Sequence, residues 1–222
     1  MSHSQLKYPH DLADMEAWVR SHAQPRHRIL EIGCGDGALV VRLAGDFDIV
    51  GVDPHAEPAD HVRVEPFEEL DAEPFDIVFA SVSLHHLADL DVASASLRRL
   101  TKPGSVMLVR EFDRLLVDHE PTLRWWYDHR RLLPDDADDH PLADDFDEFV
   151  VDWRGWMEHH VAPWPVVFDM LGASGFDTVS QQPAPYLFRW GLTEDVRAEE
   201  ERLAAEGTIN LVGRRWTGRR PT

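Results

Sequence analysis

Residues 28–37 read Arg28-Ile29-Leu30-Glu31-Ile32-Gly33-Cys34-Gly35-Asp36-Gly37, and no other stretch restricts the fold as strongly. Ile29, Leu30 and Ile32 form an apolar run with the length of a short buried strand. Three glycines follow at alternate positions, supplying backbone freedom where a side chain would block a ligand or force an unfavourable φ. Leu39, Val40 and Leu43 then suit one face of a helix over about 36–45, with Gly45 at its end. A strand that breaks into a glycine turn and opens a helix belongs in an open parallel α/β sheet. Such sheets bind ligands at the carboxyl ends of their strands. Glu31, two residues before the first glycine, places a carboxylate at that end.

The pattern repeats downstream. Asp48–Val52 reads as a second strand ending in Asp53-Pro54. Asp53 falls twenty residues after Gly33, the spacing at which an acid meets the ribose hydroxyls of a bound nucleoside. Residues 55–60 are a polar loop, and His61–Val64 a third strand. Phe75–Ala80 is a nearly unbroken apolar run suited to a central strand covered on both faces. It leads into Ser81-Val82-Ser83-Leu84-His85-His86-Leu87. A helix over about 91–101 and a turn at Lys102-Pro103-Gly104 precede strand five, Ser105–Arg110, which ends at Glu111. Strands alternating with helical segments predict βαβ units and a parallel sheet. Gly33-x-Gly35-x-x-Ala38 also satisfies the dinucleotide fingerprint, so the turn alone leaves the nucleoside open.

Two flanking regions differ in character. In residues 1–27, Leu12, Met15, Ala17, Trp18 and Val19 suit one face of a helix over 10–22, which Pro25 ends. This segment is expected to be an N-terminal helical flap, with Tyr8 or His10 reaching a ligand, or else to pack on the sheet edge. The main domain is expected over 28–222, interrupted by an insertion at about 112–165. Eight acids crowd 135–148, and six of the eight tryptophans fall between 125 and 190. Helices near 121–132, 145–160, 166–174 and 193–206 are expected, with strands at 176–180 and 208–213.

The net charge of −19 disfavours nucleic acid as a partner, because phosphate backbones need basic surfaces. Arg214, Arg215, Arg219 and Arg220 read as a solvated basic end. No run approaches 18 apolar residues, so a membrane partner is not expected. The N-terminus lacks the apolar core of a secretory signal. A single cysteine, Cys34, excludes an intrachain disulfide. Cytoplasmic residence is the simplest reading. Oligomeric state is not legible.

Taken together, Glu31–Gly37, Gly51-Val52-Asp53, Phe75–Ser81, Leu84-His85-His86-Leu87 and Leu100-Thr101-Lys102-Pro103-Gly104 resemble class I S-adenosylmethionine-dependent methyltransferases. They occur in the order and near the separations of that family, over roughly 28–112. The resemblance implies a doubly wound, Rossmann-like, mostly parallel seven-stranded sheet with its last strand antiparallel and a helical lid insertion. It implies S-adenosyl-L-methionine as cofactor. The glycine turn (Gly33, Cys34, Gly35) then lies against it, Asp53 beside Pro54 takes the ribose hydroxyls, and Ser81, Val82 and His86 lie near the methionyl end. An acid commonly follows strand three in the family. Pro66 stands there in this chain, leaving Phe67 to stack on the adenine and Glu68 to accept its amino hydrogens. The physics agrees: the cofactor has a cationic ammonium to meet Glu31 and no pyrophosphate, whereas a dinucleotide would set two negative charges beside that acid.

Methyl transfer is a displacement at a sulfonium methyl, in which a protein positions the reactants and removes a proton where the nucleophile carries one. His85, His86 and Glu111 are the candidate catalytic groups. Histidine at this place also suits a local structural role. The acceptor is expected to be a small molecule attacked at O, N or C. In the insertion Trp125, Trp126, His129, Trp156 and His160 are the candidate lid residues, with Trp153, Trp156 and His160 at spacings that share a helical face. Adjacent His159 and His160 diverge on a helix, so no metal site is read. A non-catalytic module binding S-adenosylmethionine or S-adenosylhomocysteine and an NAD(P)-dependent reductase are the competing readings.

Overall fold

The computed structural model describes residues 9–133, 142–190 and 192–222. Tyr8, the His10 side chain and the acids at 135, 136, 138 and 139, with the expectations resting on them, lie outside the described residues. Seven strands form one sheet: β1 (Arg28–Ile32), β2 (Asp48–Val52), β3 (Val62–Arg63), β4 (Phe75–Ser81), β5 (Thr101–Phe112), β6 (Asp177–Ala184) and β7 (Gly213–Arg219). Their order is β3-β2-β1-β4-β5-β7-β6. The pairs β1/β2, β1/β4, β2/β3 and β4/β5 are parallel. Between β5 and β7 the partners run in opposite directions: Arg220 N donates to Ser105 O, and Asp113 N to Val212 O. The last strand is therefore antiparallel, as expected. The helices are α1 (Pro9–His22), α2 (Ala38–Leu43), α3 (Leu90–Leu100), α4 (Arg114–Val117), α5 (Glu120–Arg130), α6 (Phe146–His160), α7 (Trp164–Ala173) and α8 (Arg197–Ala205). No described helix is long and apolar enough to cross a membrane.

The chain divides into two compact units. One runs through Glu111 and adds Val166–Gln181 and Arg215–Thr222; the other comprises Phe112–Pro165 and Gln182–Arg214. In the first unit the central strands β1 and β4 are apolar because both faces are covered, and Phe75, Ile77, Val78, Phe79 and Ala80 are all buried. One face carries Ile29, Ile49, Ile77, Phe79, Val106 and Leu108. Leu12, Met15, Trp18 and Val19 of α1 and Leu39, Val40 and Leu43 of α2 pack into the same cluster. Trp18 meets Phe79 edge-on at 6.1 Å. Side chains of this size each contribute about 1.5–3 kcal/mol when fully buried. The described part of the expected flap is thus integral to the sheet's core, and only Ala17 of the predicted face is exposed.

Register extends this face to the carboxyl edge. Glu31 pairs with Phe79, Phe79 with Leu108, and Ser81 with Arg110, so Glu31, Ser81 and Arg110 share it. There the Arg110 guanidinium makes a buried bidentate ion pair with Asp11 of α1.

Three expectations need correction. The last strand is not 208–213 but Gly213–Arg219, and of the basic end expected there only Arg219 is fully exposed, whereas Arg214, Arg215 and Arg220 are half-buried. Arg215 pairs with Asp14 at 3.1 Å and lies over the Trp18 ring at 4.1 Å. Arg220 donates to Thr101 O at 2.7 Å and Arg98 O at 2.9 Å. Trp216 is buried, with its ring over Gly218, where a Cβ would come within 2.1 Å of it. Second, Lys102-Pro103-Gly104 lies inside β5 as a bulge. Phe75 pairs with Thr101 but Ile77 with Val106, so five residues of β5 oppose two of β4. Third, the helix expected over 193–206 is a tight turn at Glu194–Val196 followed by α8.

Candidate functional site

The glycine turn is held by backbone hydrogen bonds to the end of β2. Gly33 N and Cys34 N both donate to Val52 O, at 2.8 and 3.2 Å. Gly33 sits at φ +70°, and a Cβ there would lie 2.3 Å from the Ser83 Cβ. Ser83 Oγ donates to Ile32 O at 2.8 Å. The turn therefore closes against the β4 exit, and only glycine fits. Gly35 N donates to Asp53 Oδ2 at 3.0 Å, and His55 N to Asp53 Oδ1 at 2.8 Å. Asp53 thus braces the turn and is half-buried beside Pro54. Cys34 is buried, and burial, ahead of the Glu31 and Asp53 charges, raises its thiol pKa, which removes it as a nucleophile.

Glu31 is 1% exposed, and among the described residues neither carboxylate oxygen has a hydrogen-bond partner. Burial first, then the charges of Asp36 and Asp53, push its carboxyl well above the ordinary range. An unsatisfied buried carboxylate costs folding free energy, so its presence at a strand end asks for a cation.

The β4 exit is built around Glu111. Its Oε1 accepts Ser83 N at 2.9 Å and Leu84 N at 2.8 Å; its Oε2 accepts His85 Nδ1 at 2.7 Å. Glu111 and His85 are both buried. Burial alone would raise the Glu111 pKa, but the His85 imidazole and the Leu84 and Ser83 amides outweigh it and lower it. Glu111 is thereby engaged by the loop itself. His86 is exposed, its ring 4.0 Å from that of His85. Val82 stands at φ +57°, strained for a β-branched residue, and its N donates to Arg110 O at 2.7 Å. Ser81 is buried, and its Oγ has no partner among the described residues. After β3, Phe67 is 3% exposed. Its ring is packed among its neighbours. Glu68 remains half-buried there, its carbonyl held by Arg99 Nη2 at 3.1 Å.

The lid candidates lie in the second unit and separate into three environments. Trp126 is buried and donates through Nε1 to Trp190 O at 2.9 Å. It packs with Phe149, Trp153 and Trp190, which makes it a core residue. Trp125 is half-buried, 4.6 Å from His129, which lies 3.4 Å from Glu199. Trp156 stacks on the exposed His160 at 5.0 Å and 19°. Trp153 thus joins the cluster around Trp126, apart from the Trp156–His160 pair.

Sequence reasoning missed Phe112, stacked on Tyr186 at 4.9 Å and edge-on to Trp190 at 4.7 Å. It also missed Glu200, which is fully buried and accepts the amides of Tyr186, Leu187 and Phe188 at 2.8, 3.1 and 3.2 Å. Nothing in the local sequence marked either residue. Among the described residues no three metal-ligating side chains come together.

The first unit's residues fit S-adenosylmethionine. The orphaned Glu31 carboxylate has the charge that an ammonium would need, Asp53 has lone pairs that ribose hydroxyls could use, and the turn at Gly33 has no Cβ to bar a close approach. Glu31, Asp36 and Asp53 would repel a pyrophosphate. Comparison with known proteins agrees. Residues 3–141, more than half of the chain, match the methyltransferase domain family. A ubiquinone biosynthesis O-methyltransferase of Rhodopseudomonas palustris (strain BisB18) is 32% identical over 122 residues, covering 44% of this chain and 47% of that protein. The chain thus matches about half the length of this relative. The fold is shared with Burkholderia thailandensis 1,6-didemethyltoxoflavin-N1-methyltransferase, solved with 1,6-didemethyltoxoflavin and S-adenosylhomocysteine (TM-score 0.54, 16% identity, 95% of this chain and 78% of that one). It is shared too with the [4+2]-cyclase SpnF (TM-score 0.57, 15% identity, 94% and 80%). The chain belongs to the methyltransferase domain family, among the S-adenosylmethionine-dependent class I methyltransferases.

Proposed function

We propose that this protein transfers a methyl group from S-adenosylmethionine to an O, N or C nucleophile of a small molecule. The observation that carries the reading is the buried, unpartnered Glu31 carboxylate beneath a glycine turn that Asp53 braces. When bound, the cofactor supplies a methyl on a sulfonium, which departs from sulfur as the nucleophile takes it. Glu31 and Asp53 orient the two ends of the donor. Glu111 holds the loop Ser83–His85 and fixes the His85 Nδ1–H, so His85 and Glu111 are positioning residues in this reading. His86, exposed beside them, takes the proton from acceptors that must lose one. We assign acceptor recognition to the aromatic unit. The O- and N-methyltransferase likenesses support a small acceptor.

Turnover tests the reading. Incubation with S-adenosylmethionine and a panel of phenols, amines and activated carbon acids should yield S-adenosylhomocysteine with at least one class. Tight cofactor binding with no turnover on any acceptor would favour a binding module. The likeness to a cyclase keeps a third outcome specific, since the fold alone does not fix the reaction: a converted substrate with the cofactor unchanged.

Asp53→Ala should weaken cofactor affinity by about 1–3 kcal/mol through lost charge-assisted hydrogen bonds. Unchanged calorimetric affinity in the folded variant would sink the ribose assignment. Trp156→Ala, at a half-exposed ring, should raise the acceptor KM about 2- to 10-fold while leaving the cofactor Kd alone. Parallel losses in both would instead mark Trp156 as a packing residue.

A further inference from the structure

Glu31 is a buried acid without a hydrogen-bond partner among the described residues. It lies on the core face of β1, and its two oxygens lack partners. The groups that face it are acidic or already engaged. Asp36 and Asp53 oppose its ionisation, as the Cys34 thiol would if ionised. Arg110, on the same sheet face, has its guanidinium on Asp11. Among the described residues no cation compensates a charge at Glu31, and an uncompensated buried carboxylate takes up a proton instead.

We propose that Glu31 holds a proton in the cofactor-free protein and gives it up to solvent when the methionyl ammonium of the cofactor arrives. This rests on the S-adenosylmethionine reading of the site. The exchange balances: the neutral acid and the ammonium become a carboxylate–ammonium pair, and one proton leaves to bulk water. Three consequences follow from linkage. Binding of the amino-acid end releases a proton at every pH between the Glu31 pKa in the complex and its raised pKa in the free protein. Across that window affinity rises about tenfold per pH unit, and above it affinity is flat. A ligand with the adenosine but no amino acid leaves Glu31 protonated and shows neither effect. The acid thus makes the site selective for the ammonium, with a selectivity that is lost as the medium becomes acidic.

The test is titration calorimetry of the full chain between about pH 5 and 8, in buffers of different ionisation enthalpy, which counts protons released on binding. S-adenosylhomocysteine and 5′-methylthioadenosine are the two ligands. They share adenine and ribose, so Asp53 and the residues after β3 respond alike to both. The expected result is release approaching one proton with S-adenosylhomocysteine and none with 5′-methylthioadenosine. In Glu31→Gln the release should vanish and the affinity should lose its pH slope. S-adenosylhomocysteine binding without proton release anywhere in the range overturns the proposal. Equal release with 5′-methylthioadenosine, or release that survives in Glu31→Gln, also overturns it by placing the proton elsewhere. No binding of S-adenosylhomocysteine at all overturns the cofactor reading and the proposal with it. The comparison of the two ligands on the unaltered protein decides the matter even if the variant does not fold.

Discussion

Glu111→Ala should lower folding stability by about 3–5 kcal/mol, the range for breaking a buried charged network by removing one partner. The carboxylate accepts Ser83 N, Leu84 N and His85 Nδ1 with both oxygens and is 1% exposed. Alanine would leave two amides and an imidazole N–H buried without partners, each with its own desolvation cost. Strained Val82 would also lose the neighbouring hydrogen bonds that hold the loop. For a chain of this length such a loss corresponds to a fall in melting temperature of about 6–20 °C. The sign of the pH dependence follows from the lowered Glu111 pKa. A depressed folded-state pKa contributes stability that is fully present above the unfolded-state value and disappears as pH falls through the folded one. The gap between wild type and variant should therefore be widest at neutral pH and close in acid, below the usual carboxylate range. Glu111→Gln keeps an acceptor for the two amides but presents an N–H₂ to His85, so it should retain much of the stability while forcing the proton onto His85 Nε2. Denaturant unfolding between acid and neutral pH checks this. A deficit under about 1 kcal/mol for the alanine variant would mean that the loop does not depend on Glu111.

The elements legible in the sequence are those whose cause is local. The run Ile29-Leu30-Glu31-Ile32 with its glycines folds as read because strand, turn and helix opening are all encoded within ten residues. Asp53 was found by spacing alone, and it does brace the turn that lies eighteen positions away in sequence. The misreadings have tertiary causes. Arg215 and Arg220 looked like part of a solvated end because their partners are far away in sequence. Asp14, Trp18 and Thr101 are those partners, at the opposite end of the chain and in β5. Glu200 sits in a helix that is otherwise polar, and its inward role depends on three amides a dozen or so residues earlier. Glu111 was singled out for its place at a strand end. Its engagement by the loop after β4 required the pairing of Ser81 with Arg110 to be known.

Gly33→Ala should be at least as damaging to cofactor binding as any change at Asp53, and it should destabilise the fold by about 3 kcal/mol or more. Two costs combine. Alanine at φ +70° bears the left-handed penalty of roughly 1–2 kcal/mol. Its Cβ would also stand 2.3 Å from the Cβ of Ser83, an atom fixed directly to the backbone. Relief requires the ends of β1 and β4 to separate, which breaks the Ser83 Oγ–Ile32 O bond and loosens the Gly33 and Cys34 amides from Val52 O. Those are the contacts that shape the turn. Gly45→Ala provides the contrast, because a Cβ there meets nothing within 4 Å; it should change stability by less than about 1 kcal/mol. The two costs at Gly33 are separable with Ser83→Gly. In the double variant the clash is gone but the backbone strain remains, so stability should recover by about 1–3 kcal/mol relative to additivity. Unfolding measurements on the four proteins of that cycle give the coupling directly. If Ser83→Gly returns nothing, the left-handed backbone alone sets the requirement for glycine, and the close approach of the β4 exit is incidental to it.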